Sequence, residues 1–194
     1  MNRMIICALL LLVFNFCAEN KNIITSGNSI QFGTESTFDV ITWNIENFPK
    51  QNGSTVDYLA ELIPLLDVDI IAMQEIGDDD YFNQLVDQLN GWSGFRTGGS
   101  WGLAYIYKSE VVINRIEEIQ ALNNYNLTRT PLLMKLEWGG ENIYIINNHY
   151  KCCGNGTIEI EYDDEEYRRL QSCILTKTYI ESNLDGKNVI LVGD

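Results

Sequence analysis

Four apolar runs in this chain each deliver a chemistry-bearing side chain at their end. Residues 38–44 end in Asn44, residues 69–75 in Glu75, residues 142–149 in His149 and residues 188–194 in Asp194. Apolar, β-branched runs of this length read as buried strands. A polar residue closing such a strand is carried to the sheet's rim, where a site can form. Two carboxylates, an amide and an imidazole suit hydrolysis assisted by a metal ion. Such hydrolysis needs developing charge neutralised and a water aimed at the bond to be broken. A hard divalent cation does the first task with oxygen ligands, often one or two carboxylates plus water and substrate. The four residues therefore read as one metal-dependent hydrolytic site. The last run stops as Asp194 arrives, so part of that site is expected to lie beyond it.

Each residue also has a plainer reading. The plainer reading of Glu75 is a surface residue at a strand exit, yet it closely follows Ile70-Ile71-Ala72-Met73, which favours a functional carboxylate. Asn44 alone would simply begin a turn. His149, the single histidine, would alone be structural. Arg129 has many acids to pair with. Trp101, Tyr105 and Tyr107 offer faces on which bases stack, although packing in a core or sheet is the preferred reading. Arg168 and Arg169 either reach substrate or pair with Glu165 and Glu166, and pairing is favoured.

The elements that must position these groups follow from periodicity. A helix capped by Ser54 or Thr55 carries Tyr58, Leu59, Leu62 and Ile63 on one face, with Pro64 kinking or fraying it. A second helix opens at Asp78-Asp79-Asp80 and buries Phe82, Leu85, Val86 and Leu89. Those aspartates read as a solvated helix start rather than a calcium loop. Residues 103–107 and 111–122 read as strands. Residues 131–138 and 142–149 pair through a Gly139-Gly140 turn. A long helix over 161–182 should bury Leu170, Cys173, Ile174 and Tyr179, before a last strand at 188–192. Strands in hairpin-like succession with inserted helices imply an α+β fold of two packed sheets flanked by helices.

Five short motifs stand in order: Thr42-Trp43-Asn44-Ile45, Met73-Gln74-Glu75-Ile76, Thr128-Arg129-Thr130-Pro131, Asn147-Asn148-His149 and Val192-Gly193-Asp194. Together they resemble the endonuclease/exonuclease/phosphatase superfamily, the DNase I-like fold, over residues 38–194. That resemblance implies a four-layer α/β sandwich with its C-terminal part missing. It makes Glu75 the principal metal ligand, with Asn44 helping to hold the ion. It places Arg129 and His149 on the substrate phosphate and has Asp194 orient or deprotonate the attacking water. Tyr105 is the counterpart of a polar residue on a central strand that helps orient the site. The implied cofactor is Mg2+, with Mn2+ or Ca2+ as substitutes. The superfamily's closing Asp-His pair and the Asn of Gly-Asp-x-Asn are absent. The chain is thus expected to be an N-terminal fragment that binds metal weakly and turns over slowly or not at all.

The net charge of −14 argues against a general electrostatic grip on nucleic acid. It does not oppose an enzyme that meets phosphate through a cation and a few local arginines. A nuclease acting on DNA or RNA is the expected activity. Sphingomyelin or inositol phosphates are the alternative substrates, and a non-catalytic surface lipoprotein is the alternative class. Residues 1–17 read as a signal peptide, with a basic start and an apolar core shorter than the ~20 residues that span a bilayer. Cys17 stands where bacterial lipoproteins are acylated, which implies membrane attachment; simple secretion, with Cys17 removed, is the other reading. Residues 18–37 read as a flexible linker and 38–194 as the truncated domain. No protein partner is implied. Export would permit disulfides. A bridge from one of Cys152 and Cys153 to Cys173 is one option, leaving one thiol over, since adjacent cysteines pair uncomfortably; the sequence leaves the connectivity open.

Overall fold

A computed structural model describes residues 30–194; the signal segment and Cys17 lie outside the described residues. Eight strands form two four-stranded sheets. The first contains β1 (Val40–Phe48), β2 (Ile70–Ile76), β3 (Trp92–Arg96) and β4 (Gly102–Lys108), in the order β1-β2-β4-β3. The second contains β5 (Val112–Glu118), β6 (Leu132–Trp138), β7 (Glu141–Asn148) and β8 (Asn188–Gly193), in sequential order. β1 runs parallel to β2 and β7 parallel to β8; the other neighbours are antiparallel. Three helices complete the fold: α1 (Gly53–Leu66), α2 (Asp79–Gln88) and α3 (Glu165–Asn183).

The pleat of β2 explains the layering. Ile71 and Met73 face a core shared with Val56, Ile63 and Leu85 of α1 and α2. Ile70 and Ala72 face the opposite way, against Leu132, Met134 and Ile145 of the second sheet. A third cluster joins Leu133 and Ile146 to Leu175, Tyr179 and Ile180 of α3. Helices, sheet, sheet and helix therefore stack as four layers, and the molecule is α+β. β2 is buried on both faces because it lies between two of these cores.

Several elements differ from their sequence reading. β3 is an added strand. Residues 111–122 divide into β5 and a 3-10 turn at Gln120–Leu122. Asn52, not Ser54 or Thr55, occupies the N-cap of α1, and Thr55 Oγ1 instead accepts the Gln51 N–H at 2.9 Å. Pro64 leaves α1 intact through Leu66, at the loss of the hydrogen bond that its missing N–H would have made to the preceding turn. Residues 32 and 33 are not a free tether: both backbone N–H groups donate to Leu66 O. Of the expected apolar face of α3, Tyr179 packs inward, but the first half is turned outward. Leu170, Cys173 and Ile174 are exposed, while Glu166, Ser172 and Thr176 are buried. Ser172 Oγ donates to Asn126 O at 2.9 Å, and the Tyr150 hydroxyl bonds Thr176 Oγ1 at 3.2 Å. Polar anchoring, rather than leucine burial, fixes the rotation of this half of the helix.

Candidate active site

Strand register brings the distant residues together. In the parallel β7–β8 pair, Asn148 sits opposite Gly193, so His149 and Asp194 leave their strands side by side. The Asp194 N–H donates to Asn148 O, and the Tyr150 N–H donates back to Asp194 O at 2.8 Å. In the other sheet, Asn44 sits opposite Gln74. Regular alternation would send Glu75 toward the helix layer with Met73. Instead the β1–β2 and β2–β4 ladders both shift register here, and Glu75 takes a left-handed φ of 61°. Glu46, Asn47 and Trp101 are left-handed too. Such conformations cost about 1–3 kcal/mol each and cluster at working sites. The bulge turns the Glu75 carboxylate out of the sheet and toward the second one.

The resulting contacts are close. Asn44 Nδ2 donates to Glu75 Oε1 at 2.9 Å and to Asp194 Oδ2 at 2.7 Å. The Asn47 N–H donates to Glu75 Oε2 at 3.0 Å. His149 Nε2 lies 3.7 Å from Glu75 Oε1. Glu75, His149 and Asp194 each present a ligand atom within 4.8 Å of the others. Among the described residues, no Lys or Arg forms an ion pair with Glu75 or Asp194. Two carboxylates without a cationic partner are a donor set of the hard, anionic kind that magnesium takes.

Asn44 plays a different part from the expected metal ligand. Its amide nitrogen faces the two carboxylates, and its oxygen is turned away to accept the Glu46 N–H at 2.8 Å. It bridges the acids rather than offering an oxygen beside them. Tyr105 is not brought to this group at all. Its side chain is fully buried between the sheets, where the hydroxyl is shared between Leu132 O at 2.9 Å and Ile145 O at 3.0 Å. Burial raises its pKa well above the usual phenol value, so it stays a neutral tie between the sheets.

Burial also pushes His149 below the ordinary histidine range; Glu75 and Asp194 pull it up and Arg129 pushes it down. Burial prevails, so the imidazole is neutral near pH 7. Its Nδ1 is buried without a hydrogen-bond partner. The Arg129 guanidinium is fixed by bonds to Trp101 O at 2.9 Å and Thr128 O at 2.6 Å. Trp101 is 40% exposed and walls a cleft of about 230 Å³ with Asn47, Phe48, Pro49, Glu75 and Asp78. It is therefore no core residue, unlike Tyr105. Asp78 caps α2 through a 2.9 Å bond from the Tyr81 N–H, as a helix start should. Arg169 pairs with Glu166 at 3.4 Å, whereas Arg168 lies over the Tyr125 ring and donates to Tyr125 O.

Beneath the site is a network that motif reading passed over. Gln74 Nε2 donates to Asn147 Oδ1 at 2.7 Å, and Asn147 Nδ2 donates to Met73 O and Ala104 O. Both residues are buried. The available signal was a polar residue one place before Glu75 and two before His149, each inside an otherwise apolar strand.

A four-layer α+β sandwich with an acidic site at the ends of its central strands defines a phosphoesterase-like class of fold. The chain belongs to the Endonuclease/Exonuclease/phosphatase family, which its residues 41–194 match. No curated protein matches it significantly by sequence. Its structure is similar to that of TDP2 from D. rerio complexed with single strand DNA product, at 18% identity and a TM-score of 0.67, covering 82% of this chain and 61% of that one. It is also similar to the human Nocturnin catalytic domain with bound sulfate anion, at 20% identity and a TM-score of 0.58, covering 81% and 64%. A family protein from Bacteroides thetaiotaomicron shows 17% identity and a TM-score of 0.58, covering 81% and 62%. At such identities the likeness is one of fold. The chain spans less than two thirds of the length of these structures.

Proposed function

We propose that this chain forms the cation-binding side of a magnesium-dependent phosphodiester hydrolase acting on nucleic acid. The observation that carries the reading is the meeting of Glu75, His149 and Asp194 from three strands of two sheets, with no cation paired to either acid. Glu75 and Asp194 would hold the ion, with Mn2+ or Ca2+ as substitutes. When bound, the metal supplies charge neutralisation on the phosphoryl oxygens. Asn44 keeps the two carboxylates apart and aimed. Neutral His149 donates a hydrogen bond to a phosphoryl oxygen as charge builds there. Arg129 offers its fork to the same phosphate. Asp194 accepts the proton of the attacking water. The single-stranded DNA on the D. rerio TDP2 structure and the exposed Trp101 wall support a nucleic-acid substrate.

Hydrolysis of single-stranded DNA, RNA, sphingomyelin and inositol phosphates, each with and without magnesium, tests this reading. Magnesium-dependent cleavage of a nucleic acid by a full-length version carrying this domain, lost on Glu75→Gln with folding intact, is the expected result. Retained cleavage in that variant removes Glu75 from the mechanism, and turnover confined to the lipid or inositol substrates moves the substrate assignment. Export through residues 1–17, with or without acylation at Cys17, remains part of the proposal. The N-terminal mass of the protein recovered from its producing cell tests it.

A further inference from the structure

The segment leaving the site, Lys151-Cys152-Cys153-Gly154, has a geometry that phosphodiester chemistry does not use. All three cysteines of the described residues are free and exposed, and none bridges to Cys173. The sulfurs in contact are those of the adjacent pair, Cys152 and Cys153. The turn that makes this contact is held from both sides. Cys153 has a left-handed φ of 73° and Gly154 a φ of 99°. A side chain at Gly154 would collide with the Glu166 carboxylate, which itself accepts the Gly156 N–H. Arg169 Nη1 donates to both Lys151 O and Cys153 O at 2.8 Å, clamping the two carbonyls that flank Cys152. Lys151 Nζ lies 3.8 Å from Cys152 Sγ.

We infer that Cys152 and Cys153 form a redox-active vicinal dithiol, which low-molecular-weight disulfides oxidise to an intramolecular bond. Cys152, the sulfur that stands beside the Lys151 ammonium, is the first attacker, and Cys153 is the resolving thiol. Cys152 thiolate attacks one sulfur of the external disulfide, forms a mixed disulfide and expels one thiolate. Cys153, deprotonated, then attacks the Cys152 sulfur and expels the second. Two protein thiols are oxidised, one external disulfide is reduced to two thiols, and the two protons pass to the leaving groups. Successive α-carbons are only about 3.8 Å apart, whereas bridged cysteines usually hold theirs at about 4.4–6.8 Å. The closed form is thus of the strained, readily reduced class that serves as a switch rather than a staple.

Peptide mass mapping of the full chain after incubation with glutathione disulfide tests the assignment. The expected product is a Cys152–Cys153 peptide two hydrogens lighter, without glutathione, in the wild type and in Cys173→Ser alike. Cys152→Ser and Cys153→Ser should instead trap a glutathione adduct on the remaining sulfur. A bond from either residue to Cys173, glutathione adducts on the wild-type pair, or an unreacted pair would each overturn it.

Discussion

At the residue scale, the site depends on opposing influences on one imidazole. His149 is the chain's single histidine, so its titration is free of overlap. Burial lowers its pKa, the Glu75 and Asp194 carboxylates raise it, and Arg129 lowers it. The expected midpoint lies below the ordinary histidine value of about 6.5. Glu75→Gln removes an attraction for the protonated form and should lower it further. Arg129→Ala removes a repulsion and should raise it. Imidazole NMR resonances followed from pH 4 to 8 (on the order of the histidine range) read all three. A midpoint above the ordinary value would contradict the packing of this side chain. The stability linkage has the matching sign. Between the lowered native midpoint and the ordinary one, the unfolded chain binds more protons than the folded one. Stability from this group is therefore present above that window and lost as pH falls through it.

At the element scale, the decisive feature is the irregular end of β2. The β2–β4 ladder breaks between Met73 and Ile76, and the Asn147 amide of β7 fills the gap by donating to Met73 O and Ala104 O. One side chain of the second sheet thus holds open the bulge that aims Glu75. Replacing Asn147 with Leu leaves two buried carbonyls without that donor and takes one of three acceptors from Gln74 Nε2. A loss of about 2–6 kcal/mol follows, at about 1–3 kcal/mol per unsatisfied group. Urea unfolding of Asn147→Leu, Gln74→Leu and the double variant should show costs that do not add, because the residues share one network. Additive costs would mean that the two act separately. This network also marks how far sequence reading reaches. The meeting of Asn44, Glu75, His149 and Asp194 was legible because long apolar runs reach polar residues there, although β1 continues past Asn44 to Phe48. The rotation of Asn44 was not, since the contest for its amide is decided by a carboxylate 150 positions away. β3 was hidden by Gly94, which reads as a break. A Cβ there would fall 2.5 Å from Val86 Cγ2, so the glycine marks tight packing of α2 on the strand. In α3, Leu170 and Ile174 suggested a buried face, but buried hydrogen bonds from Ser172 and Thr176 set the opposite rotation.

At the scale of the whole molecule, a net charge of −14 means that any divalent cation will relieve some self-repulsion. Specific binding must be separated from that general screening. The fold supplies its own control, because a second acidic group, Asp164, Glu165 and Glu166, stands at the start of α3. There the carboxylates already have partners: Asp164 caps the helix at the Tyr167 N–H, Glu165 faces Lys151 at 3.8 Å, and Glu166 faces Arg169 at 3.4 Å. Among the described residues, the group at Glu75 has only amide, backbone and imidazole partners. A cation held there at a hundred times its dissociation constant adds about 2.7 kcal/mol. For a chain of this size that corresponds to a rise in melting temperature on the order of 5–10 °C. Magnesium should therefore raise the melting temperature of the wild type and of Glu165→Gln alike, and Glu75→Gln should keep only the small screening rise. Ionic strength matched with sodium chloride isolates the specific part. An equal magnesium response in Glu75→Gln would place the cation elsewhere, and a response lost in Glu165→Gln would move it to the helix start. Either result would separate the strand-end convergence from metal binding, although the fold that creates the convergence would stand.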